Sequence, residues 1–162
     1  MSEQWVIDPL VFASKHASMS GELPLSQLRR LAAELASDAG SVAVTLRGTS
    51  DAAGRPLIEV ELGCRLSLTC QRCLESYEFA LDRLARFRFV RTQAELPGIE
   101  SEDPDIDCLV AEPRTDVRSL IEDEILLCLP IAPMHAEGDC SISAGIEAAS
   151  APDDSGSRPD LD

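Results

Sequence analysis

Residues 57–89 constrain this chain most, because apolar side chains take alternate positions on both sides of a Cys-x-x-Cys turn. Ile58, Val60, Leu62, Cys64, Leu66 and Leu68 share one parity, and Glu59, Glu61, Arg65, Ser67 and Thr69 the other. A period of two marks a strand with one buried and one wet face. After Cys70-Gln71-Arg72-Cys73 the alternation resumes, with Tyr77, Phe79, Leu81, Ala85, Phe87 and Phe89 set against Glu78, Asp82, Arg86 and Arg88. The two runs predict one long hairpin with Cys70 on its buried side. Arg83 and Leu84 break the pattern, so a bulge or twist is expected there.

The flanks complete an α+β fold: a twisted antiparallel sheet built on the hairpin, two packed helices and a disordered acidic C-terminal tail. Residues 5–12, with Asp8-Pro9, read as a short edge strand or a turn leading into one, and residues 14–25 are punctuated by Gly21 and Pro24. Ser26 can cap a helix with the apolar stripe Leu28, Leu31, Ala32 and Leu35. Val42, Val44 and Leu46 alternate as a strand, joined to the hairpin by the turn-rich residues 51–56, so the two are antiparallel. Residues 92–107, rich in Pro, Gly and acid, read as a mobile loop, with a short strand at 107–110.

Thr115 or Asp116 caps a second helix whose face is Val117, Leu120, Ile121, Glu124, Leu127 and Cys128, stopped by Leu129-Pro130. Its acidic turn, Glu122, Asp123 and Glu124, is either solvated or paired with an arginine of the hairpin. Beyond Cys140 large apolar residues are scarce. The expected organisation is one domain over residues 1–140 and a disordered tail over 141–162.

The net charge of −15 is concentrated in residues 92–116 and 136–162, which carry −7 and −6. Such a molecule is a poor polyanion binder overall. One basic ribbon stands apart: residues 65–91 hold six arginines against Glu75, Glu78 and Asp82. Arg72, Arg86, Arg88 and Arg91 are the candidates for phosphate contacts, or they neutralise the chain's own acids. The aromatic residues share the buried parity, which disfavours base stacking. With no export signal and no membrane-length apolar run, the expectation is a soluble cytoplasmic protein.

Six cysteines without an export signal read as reduced thiols, metal ligands or core residues. Cys64, Cys108 and Cys128 sit in apolar contexts and read as small buried hydrophobes. Cys70-x-x-Cys73 is half of a tetrahedral zinc site, and His135-x4-Cys140 supplies a second half. The alternatives are unligated thiols or a redox pair. The redox reading lacks support, because a strand rather than a helix N-terminus follows Cys73. No GxSxG, phosphate-binding glycine loop or HExxH occurs, and His16 reads as a surface residue, so an enzyme is not expected.

Leu68-Thr69-Cys70-Gln71-Arg72-Cys73-Leu74-Glu75, followed by residues 121–135 (Ile121-Glu122-Asp123-Glu124 through Leu129-Pro130-Ile131-Ala132-Pro133-Met134-His135) and Cys140, resembles the YceD family of large ribosomal RNA subunit accumulation proteins. The likeness spans about residues 7–140. It implies a cytoplasmic, non-enzymatic protein needed for synthesis, processing or stability of 23S ribosomal RNA. It also implies that Cys70 and Cys73 are the family's cysteine pair, that Glu122, Asp123 and Glu124 are its acidic motif, and that His135 and Cys140 are its later ligand-like positions. Many members carry cysteine where this chain has His135, and often a further cysteine near Cys140; the substitution keeps a set compatible with one structural zinc ion.

The leading expectation is a ribosome biogenesis factor whose partner is 23S ribosomal RNA or a pre-ribosomal particle, met directly or through an assembly protein. No membrane and no small-molecule substrate are expected. The alternative is a zinc-stapled adaptor that binds a ribosome-assembly factor or RNA polymerase through its acidic segments.

Overall fold

The alternating stretch folds into a two-stranded ladder at the centre of a computed structural model, which describes residues 3–99 and 103–140. The elements in chain order are β1 (Val6–Ile7), α1 (Pro9–Ser14), β2 (Ser18–Pro24), α2 (Arg29–Glu34), β3 (Ser41–Ser50), β4 (Pro56–Thr69), β5 (Ser76–Val90), α3 (Leu96–Ile99), β6 (Asp107–Val110), β7 (Thr115–Asp116) and α4 (Val117–Cys128). The main sheet runs β2-β3-β4-β5-β6, while β1 and β7 pair separately. The first four strands form an antiparallel meander, and β6 joins β5 in parallel. The expected tail, residues 141–162, lies outside the described residues.

The β4–β5 register runs unbroken from Leu57 opposite Arg88 to Thr69 opposite Ser76, so the expected bulge at Arg83 and Leu84 is absent. Arg83 breaks the hydrophobic pattern for another reason. It occupies an inward position opposite Leu62 and bonds Glu124 of α4 at 3.3 Å, while Leu84 faces out. An inward charge with a buried partner looks like a register error in sequence.

The inward parity of β3, β4 and β5 forms one core with Leu28, which precedes α2, Leu31 of α2, and Val117, Ile121 and Ile125 of α4. On α4 the burial differs from the expected face: Glu122 and Ile125 are buried and Leu127 is 79 % exposed. Asp116 caps α4 by accepting the Arg118 N–H, one of the two residues expected to do so.

Three further elements depart from expectation. Within residues 5–12 a short strand does form, at Val6–Ile7, but the stretch after it is a helix, α1, capped by Asp8, which accepts from the Leu10 and Val11 N–H groups with Pro9 in the first turn. This helix lies on β3 so closely that a Cβ on Gly48 would stand 2.5 Å from the Phe12 carbonyl oxygen. Residues 18–24 form edge strand β2 despite Gly21 and Pro24; a Cβ at Gly21 would meet the Trp5 ring at 3.3 Å, and Pro24 sits at the strand's end. Residues 93–99, expected to be part of a mobile loop, form a 3-10 turn and α3, with Leu96 tucked inward.

Ser26 does not cap α2. The helix starts after Leu28 with no local side-chain cap, and Glu122 does that work from α4. Its Oε1 accepts the Arg30 N–H at 2.6 Å and the Leu31 N–H at 3.0 Å, while Oε2 accepts from the Arg30 guanidinium at 3.0 Å.

Candidate functional site

The hairpin turn and the segment after α4 meet at one end of the sheet. Cys70 directly follows β4, and the Leu74 N–H bonds the Cys70 carbonyl at 2.8 Å to close the Cys-x-x-Cys turn. Leu74 takes a positive φ of 64°, which turns the chain back toward β5. After α4, Pro130 prevents continuation and the chain returns past the hairpin, where the Gln71 N–H bonds the Pro133 carbonyl at 2.8 Å. A second turn, closed by the Asp139 N–H on the Ala136 carbonyl with Gly138 at φ +91°, brings Cys140 inward.

The result gathers Cys70, Cys73, His135 and Cys140, whose donor atoms all lie within 4.8 Å of one another. Cys73 Sγ and His135 Nδ1 are 3.3 Å apart. Cys70 and Cys140 are buried, Cys73 and His135 half-buried, and the Tyr77 ring packs on His135 at 5.2 Å between centroids. Zinc–sulfur bonds of about 2.3 Å set sulfur–sulfur edges of roughly 3.8 Å in a regular tetrahedron, so the donors need little further contraction to enclose an ion. Among the described residues this is the one such group of histidine, cysteine and carboxylate donors.

The electrostatics agree with that donor set. Burial works against ionising Cys70. The backbone N–H groups of Cys73, His135 and Arg72, together with the His135 side chain, outweigh it and bring the thiol down to about 5. The Glu75 backbone N–H pulls Cys73 down, but burial and the neighbouring Cys140 and Cys70 leave its thiol raised. One thiolate forms readily and discourages the next, and a cation among the sulfurs relieves that repulsion. Burial raises the Tyr77 phenol, and the Cys70 charge adds to it against a Met134 backbone bond. No helix begins at the turn, so the lowered Cys70 owes nothing to a helix dipole.

The other cysteines are apart from this cluster. Cys64 and Cys128 are half-buried against the core, and burial pushes the Cys64 thiol up to about 11. Such a group stays protonated and packs as a small apolar side chain. Cys108 is half-buried on β6, and His16 is exposed.

The basic ribbon is largely occupied with the chain's own acids. Arg86 bonds Glu59 directly across the ladder at 3.2 Å, and Arg65 bonds Glu78 at 2.6 Å. Arg88 is only 3 % exposed and bonds Asp51, which also holds Arg55. Of the four phosphate-contact candidates, Arg72, Arg86 and Arg91 are exposed, and among the described residues Arg86 is the one of these held by a carboxylate in an ion pair; Arg72 lies in the Cys-x-x-Cys turn, with its guanidinium 3.7 Å from Met134 Sδ.

The acidic motif divides by role. Glu122 caps α2, Asp123 holds the Arg30 guanidinium at 2.6 Å, and Glu124 pairs with Arg83. The expectation that one of these acids pairs with a ribbon arginine is met by Glu124. Sequence spacing did not single out Glu122, whose partners lie 91 and 92 residues away.

A family model described as "Large ribosomal RNA subunit accumulation protein YceD" matches residues 58–157. A Haemophilus influenzae protein of that same description is 27 % identical over 145 residues, covering 85 % of this chain and 79 % of the relative. No solved structure matches. Among the described residues, no helix is long and apolar enough to cross a membrane.

Proposed function

This chain belongs to the YceD family, and from that membership we propose that it is a non-enzymatic ribosome biogenesis factor of the cytoplasm, supporting synthesis, processing or stability of 23S ribosomal RNA. The observation that carries the non-catalytic part is the convergence of Cys70, Cys73, His135 and Cys140. Four protein donors complete a tetrahedral set, so one zinc ion held there has no position left for a substrate. Its work is structural: it fixes the segment after α4 to the hairpin turn.

Contact with the pre-ribosomal particle is made directly through Arg72 and Arg91, with Arg86 contributing where it can leave Glu59; buried Arg88 serves the fold instead. A specific observation favours a second route. Arg65, Arg83, Arg86 and Arg88 are all engaged by the chain's own carboxylates, which suits a protein adaptor better than an RNA-coating surface. The adaptor would bind a ribosome-assembly factor or RNA polymerase through its acidic segments.

Depleting the protein from its host and measuring the 23S to 16S ribosomal RNA ratio tests the reading. The ratio should fall and recover with the intact chain. Arg72→Glu with Arg91→Glu separates the routes. Direct contact predicts failed rescue and steeply salt-dependent binding to purified 23S RNA, whereas the adaptor route predicts full rescue. An unchanged ratio on depletion would defeat the functional assignment.

A further inference from the structure

The side of α4 that faces β5 and β6 borders a cleft of about 390 Å³, apart from the cysteine–histidine cluster and touched by the basic ribbon only where Arg83 pairs with Glu124 at 3.3 Å. Phe87, Leu109 and Leu120 give it an apolar floor, and Asp103, Asp107 and Glu124 surround it. Leu127 stands on its rim, 79 % exposed, with Asp123 and Glu124 four and three residues earlier on the helix and hence beside it. An exposed leucine fenced by carboxylates is a poor solvent surface and a good partial match for an amphipathic cation. The crowding shows in Glu124: burial raises its titration and Asp107 adds to this, against the opposing Arg83.

The chemistry selects the occupant. A lysine or arginine can lay its aliphatic stem on the floor and set its charged head among the carboxylates. RNA phosphates meet like charge there. A second copy of this chain brings another −15 with it, so net repulsion opposes self-association. We propose that the cleft is a docking site for a basic segment of a partner protein, in which one arginine or lysine enters between Asp107 and Glu124 and an apolar neighbour covers Leu127. This rests on the adaptor route and gives it a location and a partner chemistry.

The test uses the full chain with p-benzoylphenylalanine in place of Leu127, irradiated with protein extracted from pre-ribosomal particles and, separately, with purified RNA polymerase. A chain labelled at Leu84, exposed on the outer parity of β5, serves as the second position. The expected result is a crosslink from position 127 to a basic protein, with a yield that falls roughly tenfold in about 0.5 M salt, where the Debye length is about 4 Å. The yield should fall similarly in Asp103→Asn with Asp107→Asn, which keeps the acceptor for the Asp105 N–H and hence the loop. Crosslinks from position 84 but none from 127 would overturn the cleft and leave the adaptor route standing. No protein crosslink from either position would overturn both. A crosslink from 127 to a second copy, or one indifferent to salt and to the double variant, would overturn the basic-segment assignment.

Discussion

Replacing Glu122 with alanine isolates the cap that α4 supplies to α2. Glu122 Oε1 accepts two backbone N–H groups at 2.6 and 3.0 Å, and the second belongs to Leu31, a fully buried residue. Alanine strips both donors of their partner at a helix start that has no local cap. Losing a capping acceptor costs about 1 kcal/mol, and leaving a buried donor unsatisfied about 1–3 kcal/mol, so the total is about 3 kcal/mol. The Arg30 guanidinium is half-exposed and adds little. At about 2–4 °C per kcal/mol for a chain of this size, the melting midpoint should drop by roughly 6–12 °C. Glu122→Gln keeps an acceptor oxygen at the Oε1 position and loses the charge and the Oε2 bond to the half-exposed Arg30 guanidinium, so it should cost less than half as much. Asp123→Ala, at an exposed position, should stay within about 0.5 kcal/mol of the parent. Urea titrations of the three variants decide the matter. Equal losses for Glu122→Ala and Glu122→Gln would refute the acceptor argument, and no loss for either would refute the cap.

Protein purified without a metal-binding tag should contain one equivalent of zinc by elemental analysis, and Cys73→Ser should lose both the metal and thermal stability; a parent chain without zinc, or a variant as stable as the parent, would defeat the clamp. Glu124 titrates above its ordinary 4.5 because burial and Asp107 outweigh Arg83. Its contribution to stability is thus present below about pH 4.5 and lost as pH rises through the raised value. Glu124→Gln removes that falling limb, so the parent should lose ground to the variant as pH rises above 4.5 in paired denaturant titrations. Parallel curves would contradict the raised titration. Gly48→Ala drives a Cβ to 2.5 Å from the Phe12 carbonyl oxygen and 2.8 Å from Ala13 Cα, both backbone. It should cost about 1–3 kcal/mol by calorimetry, and a neutral result would mean that α1 is free to lift.

The hairpin was legible because each residue's side of a strand follows from its parity, and a long ladder repeats the evidence many times. The convergence of Cys70, Cys73, His135 and Cys140 was legible for a related reason: cysteine and histidine spacing marks residues able to share one ion, whatever path the chain takes between the halves. Glu122 was not legible. Mid-helix acids usually face water, and the donors it satisfies belong to a helix 91 and 92 residues earlier. Arg83 misled in the same way, since only α4 explains an inward charge. Helix α1 carried its own marks in Asp8 and Pro9, but six residues are too few for periodicity to separate a helix from a turn. Leu127 was assigned to the core by spacing alone, whereas α4 rolls so that Ile125 and Glu122 take the inward positions.

The meander and the Cys70–Cys140 cluster also differ in when they form. Each ladder from β2 to β5 joins strands adjacent in sequence, so its closing loops are short and the contacts are of low order. The cluster instead joins residues 70–73 to residues 135–140, and a cross-link over a loop of about 70 residues removes roughly 4 kcal/mol of entropy from the unfolded chain. The sheet should therefore assemble early and the cysteines converge last, after α4 docks. An ion held there would act mainly on the unfolding rate, as a latch that locks a completed structure and leaves the speed of folding almost unchanged.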